Sequence, residues 1–102
     1  MNKIKIPTQF EIGGRTVKIK YKKNMVDESD SVGYARYRKN EIWLQEKCDG
    51  VYRHPDQIQE SYCHEIVHWI LNMMGENKLN DDEKMVSQFA QYLHQILKTS
   101  EY

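Results

Sequence analysis

Five consecutive residues, His64, Glu65, Ile66, Val67 and His68, spell H-E-x-x-H. Residues four apart on an α-helix sit one turn apart on the same face, so two imidazoles at this spacing can reach one metal ion. A glutamate directly after the first histidine can then serve as general base toward a metal-bound water. With four histidines in 102 residues, such a pattern arises by chance in about one shuffled chain in a hundred. The flanks favour a helix: residues 56–74 hold no proline or glycine, Pro55 suits a first turn, and Gly75 suits a stop. At about 100° per residue, Ser61, His64, Glu65, His68 and Asn72 share a sector roughly 100° wide, and apolar residues fill most of the rest. A helix so largely apolar is normally buried. Its polar stripe then needs partners, and a metal supplies them. An ordinary pair of half-buried histidines on an amphipathic helix is the plainer alternative.

A catalytic zinc ion usually takes three protein ligands and keeps one position open. The acidic and histidine residues that follow the motif are Glu76, Asp81, Asp82, Glu83 and His94. Glu83 lies at the border of the next helix's apolar face, about 20° from Ala90, and is the preferred third ligand. Asp81 and Asp82 have shorter reach, and His94 lies three turns on. Asn80-x-x-Glu83 also reads as a capping box, which would give Glu83 a structural role instead.

The elements that must carry these residues are legible from periodicity. Residues 6–21 form a hairpin: Val17, Ile19 and Tyr21 alternate with Lys18, Lys20 and Lys22, and Gly13-Gly14 supplies the turn. The lysine row reads as a solvated strand face rather than a basic strip for an acidic partner, because no aromatic platform accompanies it. Residues 24–31 are polar and acidic and read as a loop. A second hairpin joins residues 32–38 to 41–46 through Lys39-Asn40, with Ile42 and Leu44 toward the core and Trp43 and Gln45 away from it. Residues 48–55 connect to the motif helix; Cys48 and His54 are two possible ligands without companions and read as loop residues. After a short connection at 76–79, residues 80–98 form a second helix. Met85, Val86, Phe89, Ala90, Leu93, Ile96 and Leu97 make its apolar face, and residues 99–102 fray. Strands followed by helices indicate an α+β fold, a small antiparallel sheet of two hairpins packed on two helices.

Length and composition bound the rest. A chain of 102 residues is one domain, 1–102, with an adequate core. Fifteen basic residues balance fifteen acidic ones, so no global field favours nucleic acid or an anionic membrane, and neither partner is expected. No stretch approaches a membrane span, and the start lacks the apolar run of a signal peptide. Cys48 and Cys63 make no disulfide framework, which fits a cytoplasmic protein.

His64-Glu65-Ile66-Val67-His68 followed by Glu83-Lys84-Met85-Val86-Ser87-Gln88-Phe89-Ala90 resembles the gluzincin metallopeptidases. Within them the chain is most similar to the small bacterial and phage-encoded group around the ImmA/IrrE and SprT-like proteins. That group's second signature is a glutamate followed by small residues and a Phe-Ala pair; Val86 and Ser87 stand here where Ala-Asn is commoner. The resemblance implies a minimal zincin-like fold, with a sheet edge beside the metal helix. It also implies Zn2+ held by His64, His68 and Glu83, with Glu65 as base. The chain lacks H-E-x-x-H-x-x-G-x-x-H, which disfavours a metzincin. The expectation is a zinc-dependent peptidase acting on a protein or peptide. An extended substrate could pair with the strand at 41–46; Tyr34, Tyr37, Tyr62 and Tyr92 are each candidates for an oxyanion donor, and no spacing singles one out. The alternative is a non-catalytic, zinc-stabilised protein-binding module; Glu65 argues against it, because a structural site needs no base.

Overall fold

The computed structural model describes residues 5–23, 25 and 33–102. The acidic loop at 24–31, apart from Met25, lies outside the described residues, as do residues 1–4 and Val32. The first hairpin pairs β1 (Gln9–Ile12) with β2 (Arg15–Tyr21) around Gly13 and Gly14. Both glycines have positive φ, 54° and 78°, the geometry a two-residue turn between right-twisted strands requires. The second pairs β3 (Gly33–Arg36) with β4 (Glu41–Leu44). A single 3-10 turn, Tyr37–Lys39, and left-handed Asn40 join them. Arg15 holds that turn, donating from Nε to Asn40 Oδ1 at 2.7 Å and from Nη2 to the Tyr37 carbonyl.

The hairpins join through β2 and β4, which run parallel, giving the order β1-β2-β4-β3. The fold class is α+β as expected, but the sheet is mixed rather than antiparallel. β4 is central and β3 takes the edge. A strand's alternation reports which face it buries and not which neighbour it chooses, so both orders satisfied the same pattern. Ile42 and Leu44 are fully buried. Gln45 was expected to face outward. It lies just past the strand's end and is buried, accepting from Met25 N–H and donating to the Lys47 carbonyl. Overlapping the expected 48–55 connection is a short hairpin of two-residue strands, β5 (Lys47–Cys48) with β6 (Val51–Tyr52).

Helix α1 (Pro55–Met74) begins at His54, whose Nδ1 accepts from Asp56 N–H. It ends at Gly75, where φ of 74° lets the Gly75 N–H return to the carbonyls of Asn72 and Leu71. His54 is therefore a helix cap. α1 is apolar on two sides because it lies between two layers. Tyr62 and Trp69 pack against Val17, Ile19, Ala35, Ile42 and Leu44 of the sheet. Cys63 and Val67 pack against Val86 and Ala90 of the last helix.

The expected 80–98 helix is two. α2 (Asn77–Asp81) takes in part of the expected connection, and α3 (Glu83–Thr99) follows after a break at Asp82. The capping box is not formed: Asp82 caps α3 by accepting from Met85 N–H at 3.1 Å, and Glu83 is the first helical residue. On α3 only the Val86, Ala90 and His94 side is buried, whereas Phe89, Ile96 and Leu97 are exposed.

Candidate metal centre

The polar stripe of α1 faces an open cleft of about 550 Å³ bounded by β3, α1, α2 and the start of α3. His64 and His68 project from successive turns, and Glu83 reaches across from α3. The two Nε2 atoms are 3.2 Å apart. Glu83 Oε2 lies 3.2 Å from His64 Nε2, and Oε1 lies 3.0 Å from His68 Nε2. Tetrahedral zinc with bonds of about 2.0–2.1 Å sets its ligand atoms about 3.3 Å apart. The spacing fits that ion to within a few tenths of an ångström. Among the described residues, His64, His68 and Glu83 form the one group of three such side chains with converging ligand atoms.

The protonation pattern suits a cation. His68 Nδ1 lies 2.6 Å from Asn80 Oδ1, and the Asn80 amide nitrogen donates to the Tyr37 hydroxyl at 3.1 Å. Tyr37 in turn donates to the His68 carbonyl at 3.3 Å. With its amide nitrogen so used, Asn80 presents only its oxygen to His68, which places the proton on Nδ1 and leaves the Nε2 lone pair facing the centre. Burial and the neighbouring His68 hold His64 below its usual pKa, against the opposing pull of Glu83, so His64 favours the neutral imidazole a metal needs. Two imidazole nitrogens and a carboxylate facing one another at these distances need a shared proton or a cation between them.

Glu65 points from the same stripe toward the sheet edge and is 6 % exposed. Its carboxyl accepts a hydrogen bond from the Ala35 backbone N–H. Burial, with a smaller contribution from Glu83, lifts its pKa from 4.5 to about 8. Gly33 makes the room: a Cβ there would lie 2.8 Å from Glu65 Oε2 and 3.3 Å from its Cγ. Ser61, also on the stripe, accepts from Arg53 at 2.8 Å.

The other expected candidates lie elsewhere. Asp81 lines the cleft without joining the ligand group, Asp82 is a cap, and Glu76 is exposed. His94 is buried near the other end of the helix pair, 3.3 Å from Gln59 Oε1. Tyr62 is in the core and Tyr92 is exposed on α3, away from the cleft. Tyr34 and Tyr37 line the cleft. The 41–46 strand is paired on both sides, so the edge beside the site is β3. Sequence reasoning missed Asn80, Gly33 and Ala35, whose roles come from contacts across the fold. Asn80 does carry a local signal, the capping-box spacing to Glu83, and in the fold its side chain serves His68 instead. Comparison with family models, curated proteins and solved structures found no match to this chain.

Proposed function

We propose that this chain is a minimal zinc-dependent peptidase of gluzincin type, with His64, His68 and Glu83 as ligands and Glu65 as general base. The observation that carries the reading is the conjunction of a three-donor group at zinc spacing with a buried carboxylate beside it. A structural site would need the donors but not the carboxylate. Zinc at such a centre lowers the pKa of a coordinated water toward about 7 and polarises a carbonyl. Glu65, the buried carboxylate beside that group, would in its ionised form accept a proton and return it to a leaving amine. Asn80 and Tyr37 hold the His68 ring. Tyr37 is committed to that task, and Tyr34 is exposed beside Trp43 on the side of β3 opposite Gly33 and Ala35, so neither phenol is placed to meet a developing oxyanion. The substrate strand would lie along β3, whose residues Gly33, Tyr34 and Ala35 border the cleft.

The test is Glu65→Gln. Zinc content stays near one per chain, and hydrolysis of a protein substrate found by proteome-wide cleavage screening falls by at least about a hundredfold, within the usual range for a general base. Wild-type turnover in the variant would remove Glu65 from the mechanism. Full zinc occupancy with no cleavage by the parent protein would favour the zinc-stabilised binding module.

A further inference from the structure

The sheet face turned away from α1 gathers cations around aromatic rings. Lys18 and Lys20 are exposed on β2, opposite the buried Val17 and Ile19, and Lys22 follows directly. Parallel pairing sets Lys20 beside Trp43, and antiparallel pairing sets Tyr34 on that residue's other side. The Arg36 guanidinium is 4.4 Å from the Trp43 ring centre, with the amines of Lys22 and Lys39 at 4.5 and 5.4 Å. Arg36 also lies 5.3 Å from the Tyr34 ring. On the sheet strands the acidic residues of this face are Glu11 and Glu41, and Glu41 is flanked in register by Lys18 and Arg36.

A chain with fifteen cations and fifteen anions need not collect five cations on one side of a sheet. Held this close, they repel one another. The ring quadrupoles and Glu41 offset part of that repulsion, and a polyanion would offset the rest. Two features single out the polyanion. Trp43 and Tyr34 sit on adjacent strands, about 4.8 Å apart in the hydrogen-bonding direction, with a guanidinium plane beside them. Such a strip accepts planar bases, as single-stranded binders do, whereas an acidic peptide would use the lysines and leave the rings idle. A duplex hides its base faces.

We propose that the open face of the sheet binds single-stranded nucleic acid, with phosphates on Lys18, Lys20, Lys22 and Lys39 and a base on the Trp43–Tyr34 strip beside Arg36. The lysine row read as a plain wet strand face for want of aromatic company. The parallel β2–β4 pairing provides that company, using residues more than twenty positions away. The proposal does not depend on the metal reading.

The experiment titrates the full chain, with chelator present, with oligothymidylate of about 15 nucleotides, near the site size of single-strand binders. Of the two tryptophans, Trp69 is fully buried, so quenching of indole emission reports Trp43. The expected result is quenching with an affinity that falls linearly as log salt rises. Replacing two exposed lysines together, Lys20→Gln with Lys22→Gln, should lower the salt slope by about 1.4, two contacts at about 0.7 each. Trp43→Leu should weaken binding roughly tenfold. The double lysine variant keeps the test decisive if Trp43→Leu fails to fold. Absent binding at low salt, or an unchanged slope in the double variant, would overturn the proposal. Equal quenching by heparin or polyglutamate would overturn it in favour of an acidic partner without bases.

Discussion

At the residue scale, the centre depends on how Glu65 and His68 are held. Glu65 has a folded-state pKa raised above its ordinary value, so folding favours its protonated form. The metal-free protein is therefore free of the Glu65 penalty below about pH 4.5. It loses stability as pH rises from there through about 8, where the buried carboxyl is half ionised, and the loss levels off above that. Glu65→Gln, neutral throughout, should match its metal-free parent near pH 4.5. It should exceed the parent at pH 8 by on the order of 3 kcal/mol. Chemical denaturation across that range checks it, and a difference that does not grow with pH would place the carboxylate in a wetter site. Asn80 acts through His68: it fixes which nitrogen carries the proton. Asn80→Ala should lower zinc affinity about 10- to 100-fold, the usual effect of losing a partner behind a metal ligand. Competition with a chromophoric chelator measures it; unchanged affinity would reduce Asn80 to a packing role.

At the element scale, two departures from regularity build the site. The first is the break at Asp82. One continuous helix over 80–98 would have placed Asn80 and Glu83 within a single first turn. The break instead puts Asn80 on α2, in reach of His68, and starts α3 so that Glu83 faces the histidines. The second is the small inward side of β3. Gly33 and Ala35 let the edge strand approach α1 closely enough for a backbone N–H to meet Glu65. Gly33→Ala should push the carboxylate aside while leaving the three metal donors in place. The expected outcome is near-normal zinc content with hydrolysis reduced about tenfold or more, since misplacing a reacting group by about 1 Å can cost a hundredfold. Loss of zinc in this variant would show that β3 supports the ligands and not the base.

At the scale of the whole molecule, the helix pair is clasped at both ends. Near the start of α1, Lys98 pairs with Asp56 at 2.6 Å, and His94 with Gln59. The Val67–Val86 contact fills the middle, and the His64, His68 and Glu83 group closes the other end. A zinc ion there would tie α1 to α3, so binding is linked to folding. At a free zinc concentration about a hundred times the Kd, the added stability is about 2.7 kcal/mol, a Tm rise of roughly 10–20 °C for a chain of this size. Glu83→Gln removes the charge of the proposed third ligand without touching the α3 cap, which belongs to Asp82. The metal-free proteins should therefore melt within a degree or two of each other, while the zinc-induced rise shrinks in the variant. Equal rises would remove Glu83 from the ligand set. No described helix is long and apolar enough to cross a membrane.

The sequence by itself determined the elements that local chemistry dictates. The motif helix runs from Pro55 to its stop at Gly75. The first hairpin turns at Gly13-Gly14, and the α+β class follows from strands preceding helices. The two histidines and Glu65 were legible because a helix's period is rigid: four residues apart is one turn, whatever the surroundings. Tertiary structure decided everything that depends on which distant backbone comes alongside. Val17, Ile19, Ile42 and Leu44 alternate identically whether β2 neighbours β3 or β4, so the parallel join and the edge position of β3 could not be read. The same ambiguity hid Gly33 and Ala35 beside Glu65, and Trp43 beside the lysines. Asn80 and Glu83 carried a local capping signal that competed with their long-range contacts. Asp82 took the cap, which freed Asn80 for His68 and Glu83 for both histidines. A short side chain can serve a nearby backbone or a distant partner, and only the packed fold sets which is within reach.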